Sequence, residues 1–381
     1  MYLKKILLRL SSLKIAITCL ALSMVLIFWG TLAQVNLGIY AVQLQYFESF
    51  FVYWRPFGAN WMIPIFPGGY LIGSVLLINL VTSLIWIVQW RWKKTGIILI
   101  HIGFIILLAG EFLTDFFAVE SYMRLDEGET KNHSESSRKT ELVIIDITDP
   151  AYDEVISIPE SVLYRKQIIE HAKLPFLLKI KKFYPNSRLK MRLPAEKELP
   201  PASTQGIGKD LVVAQVPMTA KTDERNLPAV RIEISGNNQT QGTWLVSNQL
   251  DAPQRVTYQN RSYQIALRQV RYYKPYRMQL LDFTHDRYAG TDIPKNFSSR
   301  IHLSHPARNE DRDVLIYMNH PLRYEGETYY QASFDNDDTT SILQVVRNPS
   351  WLLPYISSGI IGIGMLFQFM IHLMVFLKRR I

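Results

Sequence analysis

The sequence predicts a membrane protein with four transmembrane α-helices in a three-plus-one order. A large all-β, sandwich-like extracytoplasmic domain is expected between the third helix and the fourth. Three observations predict this. Four apolar segments carry almost no ionised side chains. The stretch 115–350 is a succession of short β-rich runs separated by turn residues. The formal charge of +9 is gathered at the ends of the apolar segments.

A helix rises ~1.5 Å per residue and needs about 20 apolar residues to cross ~30 Å of hydrocarbon. The expected spans are 15–33, 69–90, 95–114 and one within 351–381, which ends in a basic tail. Glu111 is the one charge inside the third. Lys4, Lys5, Arg9 and Lys14 precede or open the first span. Arg91, Lys93 and Lys94 separate the second from the third, and Lys378, Arg379 and Arg380 close the fourth. The stretch 115–350 is neutral overall. Lys and Arg beside membrane helices are retained in the cytoplasm. Both termini and the 91–94 turn are therefore expected there, with the loop 34–68 and the domain 115–350 on the outer face of a bacterial cytoplasmic (inner) membrane. A competing account makes the first segment a cleaved secretory signal ending near Thr31-Leu32-Ala33. Its apolar run is long for a signal, which favours a span. Either account exports the domain.

Composition excludes several function classes. Cys19 is the only cysteine. There is no C-x-x-C pair for a thiol relay and no C-x-x-C-H for covalent haem attachment, so the chain is not itself a c-type cytochrome. A neutral exported domain argues against nucleic acid as a partner, and membrane lipid is the expected surrounding of the basic ends.

The loop 34–68 is crowded with rings: Tyr40, Tyr46, Phe47, Phe50, Phe51, Tyr53, Trp54, Phe57, Trp61 and Phe66. Phe47, Phe50, Phe51 and Trp54 follow i, i+3, i+4, i+7 and predict a short helix at the outer headgroup layer. The alternative is a flat aromatic platform for a porphyrin or a partner helix. Pro64, Pro67 and Gly68-Gly69 end the loop.

In the domain, strands are expected over 142–147, 176–183, 211–216, 230–234, 243–246, 278–283, 314–318, 328–334 and 341–346. Val256–Tyr258 and Tyr263–Val270 flank Asn260 and predict a hairpin, and Glu325-Gly326 predicts a turn before Thr328. Many short strands with turns between them suggest a sandwich. Gly206-Ile207-Gly208 is too short for a phosphate loop.

His101 lies six residues into the third span, ~9 Å from its cytoplasmic end. Ionisable groups within a bilayer are costly and usually functional. Three roles compete: a structural hydrogen bond to a neighbouring helix, a proton relay, or an axial ligand to haem iron. Asn79 is the other strongly polar side chain well inside a span. Gly96, Gly103 and Gly110 recur every seven residues and would let a helix or a flat ligand approach closely; His101 is off that stripe. His372 falls near the cytoplasmic end of the fourth span. His302 and His305 should face opposite sides of a strand. Both are expected to be surface or core residues, with His133, His171, His285 and His320. No catalytic residue with a supporting constellation is visible.

The chain resembles the ResB-like family, a membrane component of System II cytochrome c biogenesis. Gly30-Thr31-Leu32-Ala33-Gln34 resembles the family's Gly-Thr-x-x-(Pro)-Gln ending of the first span, with Ala33 where proline is usual. His101-Ile102-Gly103-Phe104 resembles its third span, and Leu125-Asp126-Glu127-Gly128-Glu129-Thr130 its first outer turn. The later likeness is stronger: Asp282-Phe283, Tyr288-Ala289-Gly290-Thr291, Pro294-Lys295-Asn296-Phe297, Met318-Asn319-His320-Pro321-Leu322-Arg323-Tyr324, Tyr329-Tyr330-Gln331-Ala332-Ser333 and Val346-Arg347-Asn348-Pro349.

The resemblance implies a subunit of a holocytochrome c synthase complex. Such a subunit pairs with a ResC/CcsA-type membrane protein, moves haem b outward as substrate, and takes part in its attachment to apocytochrome c with a C-x-x-C-H site. The partner's Trp-x-x-Trp-x-Trp-Asp pattern is absent, so the chain resembles the separate ResB-type half. The family's intramembrane histidine matches His101, which the resemblance makes a ligand to haem iron. The competing function is a membrane-anchored extracytoplasmic binding or sensor module without haem. A transporter is a weaker third, because four spans without an internal repeat make a poor substrate path.

Overall fold

The computed structural model describes residues 2–56, 61–86, 92–192, 201–219, 221, 224–236, 239–250, 252–288, 290–291, 294–335 and 339–379. Phe57, Trp90, Arg91, Ala289 and Arg380 lie outside them. The chain divides into two units, a helical one of 1–119 with 347–381, and a β-rich one of 120–219 with 224–346.

In the helical unit, the helices Leu13–Leu37, Thr95–Phe117 and Leu353–Lys378 are long and apolar enough to cross a membrane. The remaining expected span is a helix over Gly69–Trp86, ~27 Å long at 18 residues; 87–90 lie outside the described residues. A further helix, Tyr2–Leu10, precedes the first and was not foreseen. Ser12 separates the two, with extended backbone and a side chain that accepts from the Lys14 amide. The bend leaves carbonyls that no helix satisfies. Asn79 Nδ2 donates to Leu10 O at 2.6 Å and to Ser12 O at 3.0 Å, and Ser83 Oγ donates to Ser11 O at 3.2 Å.

The predicted helix over Phe47–Trp54 is not formed. A π-helical turn, Gln43–Phe47, gives way to strand β1 (Phe51–Trp54), which pairs antiparallel with β2 (Ile63–Pro67). The run Phe51-Val52-Tyr53-Trp54 is aromatic and β-branched, and such residues prefer extended backbone. Val52 is buried while Phe51, Tyr53 and Trp54 are exposed. The rings recur at helical spacing, yet burial does not follow it. Beneath the hairpin, Trp29 meets Tyr46 and Phe66 edge-to-face at 5.9 and 6.0 Å.

The β-rich unit follows with β3 (Val119–Asp126), β4 (Thr130–Asp146), β5 (Glu154–Pro159), β6 (Ile168–Ile169), β7 (Leu177–Tyr184), β8 (Ser187–Met191), β9 (Leu211–Gln215), β10 (Ala229–Gly236) and β11 (Gln239–Ser247). Then come β12 (Gln254–Tyr258), β13 (Arg261–Arg287), β14 (Pro294–His305), β15 (Glu310–Tyr317), β16 (Leu322–Tyr324), β17 (Glu327–Phe334) and β18 (Thr340–Arg347). Gln259 and Asn260 both adopt positive φ, 48° and 65°, which closes the β12–β13 hairpin. Glu325 and Gly326 do the same, at 50° and 75°, between β16 and β17. Two successive left-handed residues match the twist of a tight hairpin.

β13 is 27 residues long and serves two cores. Its first part pairs with β12 and its second with β14, while β4 pairs with both. Its register with β4 breaks between Tyr273 and Met278, around Pro275, whose missing N–H cannot join a ladder. In the first core the sheet β11-β10-β7-β6 layers over β4, β5, β12 and β13, burying Leu178, Ile232, Ile234, Ile144 and Ile265. Two-sheet layering therefore describes this half. In the second core one ten-stranded sheet, β15-β14-β13-β4-β3-β18-β17-β16 with β5 and β12 alongside, curls until β15 meets β16 and β17. It encloses Leu125, Met278, Leu280, Ile301, Leu303, Tyr329 and Leu343.

On β4, Glu135 faces Arg271 of β13 at 2.9 Å and His133 at 3.7 Å. The neighbouring His133 ring above all, and then Arg271, pulls its carboxyl down to about 2 against partial burial. A depressed carboxyl contributes stability above its unfolded value of 4.5, and that contribution is lost as pH falls towards 2. Glu135→Gln should therefore flatten the decline of β-unit stability over that window. Urea unfolding of both proteins at stepped pH measures this, and parallel curves would refute it.

Candidate functional site

The glycine stripe of the third apolar helix, Thr95–Phe117, is occupied by the fourth, Leu353–Lys378. A Cβ on Gly96 would stand 2.6 Å from both Gly364 O and Gln368 Cβ, and one on Gly103 would stand 3.0 Å from Ser357 O and overlap Ile361. Gly110 faces Leu353 and Gly364 faces Gly96 in return. Small residues here admit a helix backbone. On another side of the third helix, Phe112 reaches Gly73 and packs on Tyr70 of Gly69–Trp86 with ring centroids 5.8 Å apart. These two packings fix the rotation of the helix about its axis.

At ~100° per residue, His101 lies roughly 160° from the glycine stripe. It is half-buried, between the side packed on Gly69–Trp86 and a sector where Ile97 and Phe104 are exposed. Its Nδ1 is 2.9 Å from Ile97 O, one turn earlier. A carbonyl can only accept, so Nδ1 carries the proton, and a neutral ring then presents a lone pair on Nε2. This is the tautomer that binds metals, held by a hydrogen bond from the other nitrogen. Haem iron would be held through Nε2, and the donor set fits: one imidazole, oriented by its own helix, beside the exposed Ile97 and Phe104.

Asn79 does not face this site; it is 3% exposed and spends its amide on Leu10 and Ser12. Glu111 is exposed, ten residues beyond His101. An acidic group facing hydrocarbon costs ~2.5–3.5 kcal/mol on insertion scales. Near the other end of the helix, the Tyr70 hydroxyl donates to Asp115. Burial, and then the neighbouring Asp115 carboxylate, push the Glu48 carboxyl up. This Glu48–Asp115–Tyr70 group joins residues far apart in sequence and carried no signal.

The other histidines are dispersed. His372 meets Gln368 at 2.9 Å. His302 bridges Asp311 at 2.6 Å and Asp313 at 2.8 Å on β15, while His305 is buried and stacks on Tyr276. They face opposite sides of β14, as alternation requires. Among the described residues, no three His, Cys, Asp or Glu side chains could hold a metal ion.

A polar cluster lies inside the second core. Lys274 pairs with Glu327, and their side chains are 5% and 12% exposed. Tyr276 and Tyr329 hydroxyls lie 3.0 and 2.9 Å from Glu327 Oε2 and 2.6 Å from each other. Burial above all, then the Tyr276 and Glu327 charges, holds the Tyr329 phenol protonated far above its ordinary range.

Residues 239–350 match the model of the ResB-like family. Over 94 residues the chain is 28% identical to Protein NrfI of Wolinella succinogenes. That match covers 25% of this chain and spans 10% of NrfI. The family match takes in β11 to β18 and the Lys274–Glu327 cluster; His101 lies outside it.

Proposed function

We propose, from a chain whose residues 239–350 are ResB-like, that this protein acts in cytochrome c biogenesis. It is the ResB-type subunit of a haem-handling complex. With a ResC/CcsA-type membrane protein it moves haem b outward and holds it while apocytochrome c is modified. The β-rich unit lies outside the cytoplasmic membrane, with both termini inside.

One observation carries the reading beyond the family likeness: His101, on an apolar helix, with Nδ1 committed to Ile97 O and Nε2 left as an acceptor. Haem enters as cargo. Its iron takes the Nε2 lone pair. Attachment adds two cysteine thiols across the haem vinyl groups. In this reading the chain takes no acid, base or nucleophile role in that step. Its contribution is position, and holding reactants in register can lower a barrier by several kcal/mol, up to ~7–11 in the best cases.

The test is a haem spectrum of the protein co-purified with its partner. The wild-type complex should show a b-type absorbance, and His101→Ala should lose it together with holocytochrome formation. Added imidazole should restore part of both. Retained absorbance and maturation in His101→Ala would end the ligand role. A wild-type complex without haem would favour the binding or sensor module instead.

A further inference from the structure

Among the described residues, the third apolar helix is packed on two sides, by the fourth helix along its glycines and by Gly69–Trp86 around Phe112. The sector left open carries Ile97, Phe104 and Glu111 at seven-residue spacing, with Leu108 between and His101 on its border. Ile97, Phe104 and Glu111 are exposed. The apolar members would be at home against lipid. Glu111 would not. It lies six residues, ~9 Å, from the Phe117 end of the helix. Among the described residues it makes no hydrogen bond or ion pair. A glutamate stem is short and cannot carry its charge as far towards water as Lys or Arg.

We propose that this sector is the docking surface for one membrane-spanning helix of the partner protein, and that Glu111 pairs there with a Lys or Arg of that helix. Charge selects the occupant. Intramembrane carboxylates face protein and pair with opposite charge. A second copy of this chain cannot supply the cation: within 15–33, 69–86, 95–117 and 353–377 there is no Lys or Arg. A lipid tail cannot supply it either. The docked helix would also wall one side of His101. The inference rests on the proposed function for the existence of the partner.

The test uses the full-length protein in membranes with the partner co-expressed. A photo-crosslinking residue is placed at Leu108, with a control at Gly359 on the fourth helix, where a side chain would meet nothing within 4 Å. Leu108 should link to a membrane-spanning peptide carrying Lys or Arg within one turn of the link. Glu111→Lys should lower that yield at least about tenfold, as expected when one member of a desolvated charge pair is reversed. Changing the partner's basic residue to Glu in the same cells should restore it. Glu111→Gln, which keeps the shape, should also lower the yield.

Links to lipid, to a second copy, or to a helix without a basic residue would overturn the proposal. So would a yield that Glu111→Gln and Glu111→Lys leave unchanged. Haem absorbance separates the two ideas. A haem-loaded complex without the link defeats the docking alone, and a link without haem defeats the cargo reading alone.

Discussion

Glu327→Leu should destabilise the β-rich unit by about 3–5 kcal/mol, because it strands the Lys274 ammonium in the second core. The side chain of Lys274 is 5% exposed and Glu327 is its ion-pair partner. The phenols of Tyr276 and Tyr329 also lose their shared acceptor. The double change Lys274→Met/Glu327→Leu should recover most of the loss, since removing both charges removes the desolvation cost that the pair had to offset. A residual deficit of roughly 1–3 kcal/mol is expected from a phenol left short of a partner. Urea unfolding of the three proteins decides it. If the double variant is no more stable than the single, Lys274 is not held as an unsatisfied charge and the account fails.

Gly96→Leu should separate the third and fourth apolar helices. Its Cβ would stand 2.6 Å from Gly364 O and 2.8 Å from Gln368 N, both backbone atoms that no rotamer change can move away. Overpacking commonly costs ~1–3 kcal/mol, and contacts to backbone belong at or above the upper end. Gly359→Leu, on the same pair of helices but meeting nothing within 4 Å, should be near neutral. Thermal unfolding in mild detergent compares them. Equal losses would mean that substituted glycines weaken the helices by propensity or lipid contact and that the seam is not tight. Loss of the seam would also free the third helix to rotate and carry His101 with it.

The apolar helices were legible because length and charge placement are one-dimensional signals. The two tight hairpins were legible because Asn260 and Gly326 suit left-handed backbone. The Phe47–Trp54 helix failed because ring spacing was taken for burial spacing, when only Val52 of β1 is buried. β14 escaped notice because its buried Ile301 and Leu303 are interleaved with Arg300, His302 and Ser304, which dilutes the apolar signal. The tautomer of His101 depends on a carbonyl one turn away. Glu48 and Asp115 are 67 residues apart, and Lys274 and Glu327 are joined across a separation of 53. No local pattern announces such pairs.

Strand β13 runs through both cores, its register with β4 broken around Pro275. Neither half can melt without withdrawing a wall from the other. Thermal fluctuation should therefore be all-or-none across the whole β-rich unit, and a pull or a binding event felt at one end would be transmitted along that single backbone to the far end.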